Sequence, residues 1–284
     1  MANGSHSLVV AAREDAAKVV PRKLAEHLKA WVAISLAWAA GFVNVVTWIV
    51  LFHVHISFMT GNTSSFGNDL ASGNWKGALE HGWPILPFVA GLFYSAATTR
   101  FARRHGIHSS FSVALVTEVV LLLAFLAIGA SHFAGGKIST ESLWVAIALL
   151  SLPAAAMGAQ TVTVTNVNGL RVYTTYLTGS LSKFAEAVVE YLFWAADRLR
   201  SRHPHRLRRV VGASFRQTSL QRAALTAGLW IGFFIGAFCG AVMLHRIGVL
   251  SLLAPIAVLC ATVVIDILRP VAAADEREAK DSAH

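Results

Sequence analysis

The sequence predicts an all-α polytopic membrane protein, and three observations carry that prediction. Hydrophobic residues make up 55% of the 284, and charged residues only 14%. The apolar residues come in long uncharged runs, which a soluble core does not need but a spanning helix of roughly 20 residues does. A polar, glycine-bearing motif after the first run, Phe58-Met59-Thr60-Gly61-Asn62-Thr63, returns as Tyr176-Leu177-Thr178-Gly179-Ser180 after a later one. A shift of 118 positions pairs Thr60 with Thr178, Gly61 with Gly179, Ser64 with Ser182, Phe66 with Phe184 and Leu70 with Val188. The same shift brings the Gly41 region onto Gly158-Ala159. The chain therefore divides into a tail (1–29), a first membrane repeat (30–130), a loop (131–141), a second repeat (142–269) and a charged tail (270–284).

The net charge of +9 would point to nucleic acid in a soluble protein. Here the arginines fall in the gaps between apolar runs, where the bias of cytoplasmic loops towards basic residues accounts for them. The expected partner is the lipid bilayer, not nucleic acid. Cys239 and Cys260 both lie inside apolar runs, so they read as small buried hydrophobes and form no disulfide framework. No cofactor or metal is expected. There is no His-Glu-x-x-His, no Gly-x-Ser-x-Gly and no set of ligands at metal spacing. His53 and His55 lack further ligands nearby and read as interfacial histidines.

Along the chain, residues 1–29 carry Arg13, Lys18, Arg22, Lys23 and Lys29. They lack the early apolar core of a secretory signal and read as a cytoplasmic tail with a surface amphipathic helix over 14–29. Six runs are long enough to cross a bilayer: 30–52, 83–99, 111–130, 142–160, 223–244 and 247–265. The stretches after the two motifs, to about residue 70 and over 181–196, are too short or too polar. Six crossings place both tails, Arg100, Arg103 and Arg104, and the loop 197–222 with its eight arginines on one side, the cytoplasmic one. Eight crossings would leave Arg100, Arg103 and Arg104 outside. With three crossings per repeat, the two repeats are inverted. Each motif then starts a short re-entrant or broken helix, which is the arrangement of many transporters.

The motif Phe58-Met59-Thr60-Gly61-Asn62-Thr63, with Ala156-Met157-Gly158-Ala159-Gln160 and Thr174-Thr175-Tyr176-Leu177-Thr178-Gly179, resembles the YoaK family of bacterial inner-membrane proteins. The resemblance covers most of residues 30–269. It implies a polytopic protein of the bacterial inner membrane with a domain of unknown function, and brings no activity. Where that family has an acid after Gly-Phe-Val, this chain has Asn44. Where it has a Gln-Asn pair, this chain has Gln160-Thr161.

Thr60, Gly61, Asn62 and Thr63, with Thr178, Gly179 and Ser180, suit helix starts at which side chains accept from free N–H groups. Helix starts within the membrane also attract anions, so these residues, with Asn44 and Gln160, are the substrate-binding candidates. The alternative is that they only cap and pack. Glu118 stands alone in the third span. It reads either as a proton carrier or as the partner of Lys183. Lys183 and Glu186, three apart, favour a local pair. Gly228, Gly232, Gly236 and Gly240 form a small-residue stripe that packs helices within the monomer or joins two copies in a homo-oligomer. Trp31, Trp83, Trp144 and Trp194 read as interfacial anchors.

Three functions compete: an inner-membrane transporter of a small solute, an anionic or zwitterionic one being favoured, with a central site at the two helix starts; a non-transporting scaffold or sensor that binds a partner through the basic loop; and a membrane-embedded enzyme.

Overall fold

The computed structural model describes residues 22–268, apart from 52, 106–111, 135–136, 139–141, 164–165, 168–169, 172–173, 201–212 and 215–216. The N-terminal part of the expected amphipathic helix, most of the arginine loop and the C-terminal tail lie outside the described residues. The rest is helical: α1 Arg22–Val50, α2 Met59–Ala71, α3 Trp75–Gly82, α4 Ile85–Arg104, α5 Ser112–His132, α6 Leu143–Thr161, α7 Leu177–Arg200, α8 Thr218–Ile247 and α9 Leu253–Leu268. Two two-residue ladders, Phe133–Ala134 with Lys137–Ile138 and Asn166–Val167 with Leu170–Arg171, replace what the sequence reads as plain loop.

Among the described residues, five stretches are long and apolar enough to cross a membrane. The chain is an all-α, multi-pass membrane protein. The fifth stretch, Thr218–Leu268, is 51 residues long, which as one helix would measure ~77 Å. It is not one helix. Gly248 breaks it with φ 64° and ψ −151°, a region only glycine enters without strain, and the 3₁₀ turn Gly248–Leu252 leads into α9. The stretch Trp75–Ala102 is also composite: α3 ends at Gly82, and the chain turns through Trp83 and Pro84 into α4, which carries the run expected over 83–99.

The core centres on α1, which packs against α8 and α9 and whose Ala33, Leu36, Ala37, Ala40, Phe42, Val43 and Val46 are fully buried. Two helix crossings are unusually close, and in both the reason is glycine. A Cβ on Gly41 would run into the carbonyl of Phe233, and one on Gly236 into the carbonyl of Trp38. The second crossing repeats the first between α6 and α4. There a Cβ on Gly158 would meet the carbonyl of Phe88, and one on Gly91 that of Ala155. In all four helices the glycine lies three residues after the residue whose carbonyl the partner glycine approaches. Without side chains, the backbones come close enough for dispersion and Cα–H···O contacts to replace side-chain packing.

These contacts also fix helix directions. Gly232 meets Ile34, Gly236 meets Trp38 and Gly240 meets Phe42, so α1 and α8 run parallel. The Trp83 indole donates to Ser151 Oγ at 2.8 Å and Gly158 meets Phe88, so α4 and α6 are also parallel. Ser112 donates to Asp266 at one end and Gly248 meets the Phe133 ring at the other, so α5 and α9 are antiparallel. Gly232, Gly236 and Gly240 are buried against α1, so the stripe is a packing face inside the monomer and not an open face for a second copy. Trp31 and Trp144 are exposed, as membrane anchors would be, whereas Trp83 is tied to α6.

Candidate functional site

Both motifs begin helices where the spacing places them, α2 at Met59 and α7 at Leu177. The expected capping does not occur in α2. Its N-cap is Phe58, which has no side-chain cap bond, so Thr60 lies two residues too far along to cap its own helix. The hydroxyls bond backwards instead, Thr63 to the Met59 carbonyl at 2.8 Å and Ser64 to that of Thr60 at 3.0 Å. Ser182 repeats the second bond to Thr178 at 3.3 Å.

The local geometry recurs between the motifs in detail. A Cβ on Gly61 would strike the Phe58 ring, and one on Gly179 would strike the Tyr176 ring. The glycine is therefore required because the aromatic residue three before it folds over the first turn. Along both helices the order of exposure is the same: Thr60 and Thr178 are exposed, Gly61 and Gly179 half-buried, Asn62 and Ser180 buried, Ser64 and Ser182 exposed. The loops ahead of the motifs are pinned alike. Ser57 donates to Asn44 Oδ1 at 3.1 Å, and Thr175 pairs with Thr161 at 2.7 Å.

This sorts the predicted site residues. Asn62 is a brace: its amide bonds the His55 carbonyl, and its Oδ1 accepts from the His55 N–H at 3.2 Å. Ser180 donates to the Tyr176 carbonyl at 3.2 Å. Asn44 holds Ser57, and Gln160 donates to the Leu36 carbonyl at 2.6 Å. Among the predicted site residues of the motifs, those left facing outward are Thr60, Thr63 and Thr178. At the start of α2, the Gly61 and Asn62 amides already bond the Phe58 carbonyl, so the amides of Met59 and Thr60 remain at the helix end. α2 packs on α3 and α7 on α8, so helix packing does not itself bring the two motifs together.

His55 lies between Trp48 and Phe58, and burial, then the nearby His81, hold its imidazole below the ordinary value. No metal-binding group is found among the described residues. Glu118, on α5, is completely buried and neither of its carboxylate oxygens has a hydrogen-bond partner, so of the two readings the pair with Lys183 is not formed. Lys183 and Glu186 lie on successive turns of α7, with Glu186 exposed.

One cluster was missed by sequence reasoning. Asp69 accepts from Asn74 Nδ2 at 3.0 Å and meets His81 Nδ1 at 2.7 Å, while Asn74 Oδ1 accepts from the Gly77 amide at 3.1 Å. These bonds staple α2 to α3. A Cβ on Gly77 would collide with both Asn74 and Asp69.

Residues 32–265 match the family model described as protein of unknown function (DUF1275). The chain belongs to this family. The YoaK resemblance of the motifs agrees with it, since DUF1275 includes YoaK. No curated protein and no solved structure matches the chain. The DUF1275 match takes in both motif helices, both glycine crossings and Glu118.

Proposed function

We propose that this DUF1275 protein is a transporter of a small solute in the bacterial inner membrane, built from two inverted halves. The observation that carries the reading is the pair of reciprocal glycine crossings. α1 on α8 and α6 on α4 use the same contact, with the first helix of each half seated on the later long helix of the other. Helix directions support six crossings. If α5 runs up, α9 and α6 run down, α4 runs down with α6, and α8 and α1 run up. The long helices then alternate, with α8 and α9 counted separately across Gly248. In this reading α2–α3 and α7 cross no membrane on balance, both termini are cytoplasmic, and the two motif helices enter from opposite sides.

At 13 residues α2 measures ~20 Å, about two-thirds of a hydrocarbon core. A helix that stops within the membrane is tolerated where it lines a cavity. The exposed hydroxyls of Thr60, Thr63 and Thr178, beside free first-turn amides, suit an anionic or zwitterionic solute. The chain's own chemistry is binding and passage, without a catalytic step. A metabolite panel that raises the unfolding temperature of the purified protein identifies the solute, and uptake of that solute into proteoliposomes then tests the reading. Thr60→Val and Thr178→Val will each lower uptake at least ~10-fold, about 1.4 kcal/mol, with unfolding temperature unchanged. Uptake insensitive to both substitutions would refute the site.

A further inference from the structure

Glu118 is the seventh of the 21 residues of α5, and the neighbouring helices place other unpartnered polar atoms at its depth. The Tyr94 hydroxyl bonds Thr117 Oγ1 at 2.9 Å, which sets α4 and α5 in register at the residues just before Ser95 and Glu118. Gly91 meets Ala155 and Ala159, which sets α4 and α6 in register near Gln160. At 1.5 Å per residue, Glu118, Ser95 and Gln160 fall within ~5 Å of one another along the helix axes. All three are completely buried. Glu118 Oε1, Glu118 Oε2, Ser95 Oγ and Gln160 Oε1 all lack a partner, while the other end of Gln160 is anchored on the Leu36 carbonyl of α1.

The count of donors and acceptors shows what is missing. A hydroxyl supplies one donor, whereas a carboxylate and an amide oxygen only accept. An ionised Glu118 would leave a buried charge and an orphaned Gln160 oxygen. One added proton removes the charge and gives Glu118 a donor for Gln160 Oε1, an acceptor at the same level; Ser95 Oγ is a second polar atom at this level and is not bonded to Glu118 in this structure. On the helices packed against α5, the polar residues at this level are uncharged. α4 contributes Ser95 and Thr99, α6 Gln160, and α9 Thr262, whose hydroxyl is spent on the Val258 carbonyl at 2.9 Å. The nearest charges on the packed helices are Arg100, five residues beyond Ser95, and Asp266, which bonds Ser112 six residues before Glu118. The sparse oxygen set also falls short of the six or more ligands that hard metal ions such as calcium take.

We propose that Glu118, Gln160 and Ser95 form an intramembrane proton-binding site, with one exchangeable proton carried by Glu118 and accepted by Gln160. The site is independent of the solute and of the transporter reading. Infrared spectroscopy of the full chain in lipid nanodiscs tests it. The expected result is a protonated carboxylic-acid carbonyl band near neutral pH that shifts in D₂O, is lost completely in Glu118→Gln, and moves in frequency in Gln160→Leu and Ser95→Ala. The last two variants keep the acid, so they read the site even if Glu118→Gln fails to fold. Absence near neutral pH of a band that depends on Glu118, or a band unmoved by both neighbour substitutions, would overturn the proposal. So would displacement of the band by sodium at constant pH, which would make this a sodium site.

Discussion

Gly41→Ala and Gly158→Ala will each destabilise the protein by about 2–3 kcal/mol, near the upper end of what overpacking costs. A single methyl has this effect because the atom it meets is not a side chain that can rotate aside. It is the carbonyl of Phe233 in one crossing and of Phe88 in the other. Relief requires two long helices to move apart along their whole contact. Gly236→Ala and Gly91→Ala belong to the same two crossings and will behave alike. Gly67→Ala is the control. Nothing lies within 4 Å of a Cβ there, and the residue is inside α2, so removing glycine will stabilise by about 0.5–1 kcal/mol. Unfolding of the purified variants in detergent reads both signs. Equal effects at Gly41 and Gly158 are what equivalent crossings require, and a neutral Gly158→Ala would break the equivalence.

Gly248→Ala will cost about 1–3 kcal/mol from backbone strain alone. The added methyl also meets the Phe133 ring at 2.8 Å, which pushes the total towards the upper end. The consequence is local as well as global. Gly248 lets the chain leave α8 and enter α9 in five residues, so the strained variant will loosen α9 from α5 before the rest of the fold. Hydrogen exchange localised to Leu253–Leu268 checks this, and a variant with unchanged stability and unchanged α9 protection would refute it.

Much of this architecture can be read from hydrophobicity alone. The apolar runs, the motif helix starts at Met59 and Leu177 and the glycine stripe of α8 all follow from local pattern. What the sequence could not show depends on pairing between distant segments. Asp69 and His81 are twelve residues apart in no recognised motif, and they meet only because Ser72-Gly73-Asn74 turns α2 back onto α3. The environment of Glu118 depends on the register of α4, α5 and α6, which a single chain read in order does not disclose. The capping expectation failed by two positions: Phe58 occupies the N-cap, so Thr60 and its neighbours bond within the helix. Gly41, Gly91 and Gly158 were single glycines in apolar runs, and only the crossing gives each a reason.

Two-sided cysteine labelling tests the inverted arrangement most directly. With Cys239 and Cys260 replaced by alanine, single substitutions Ser64→Cys and Ser182→Cys place a thiol at equivalent exposed positions of the two motif helices. The two-half account predicts that Ser64→Cys reacts with a membrane-impermeant reagent only from outside, and Ser182→Cys only from the cytoplasmic side. Arg103→Cys, as control, will react only from the cytoplasmic side. Labelling of Ser64→Cys and Ser182→Cys from the same side, or of Arg103→Cys from outside, would mean that the two halves are not inverted.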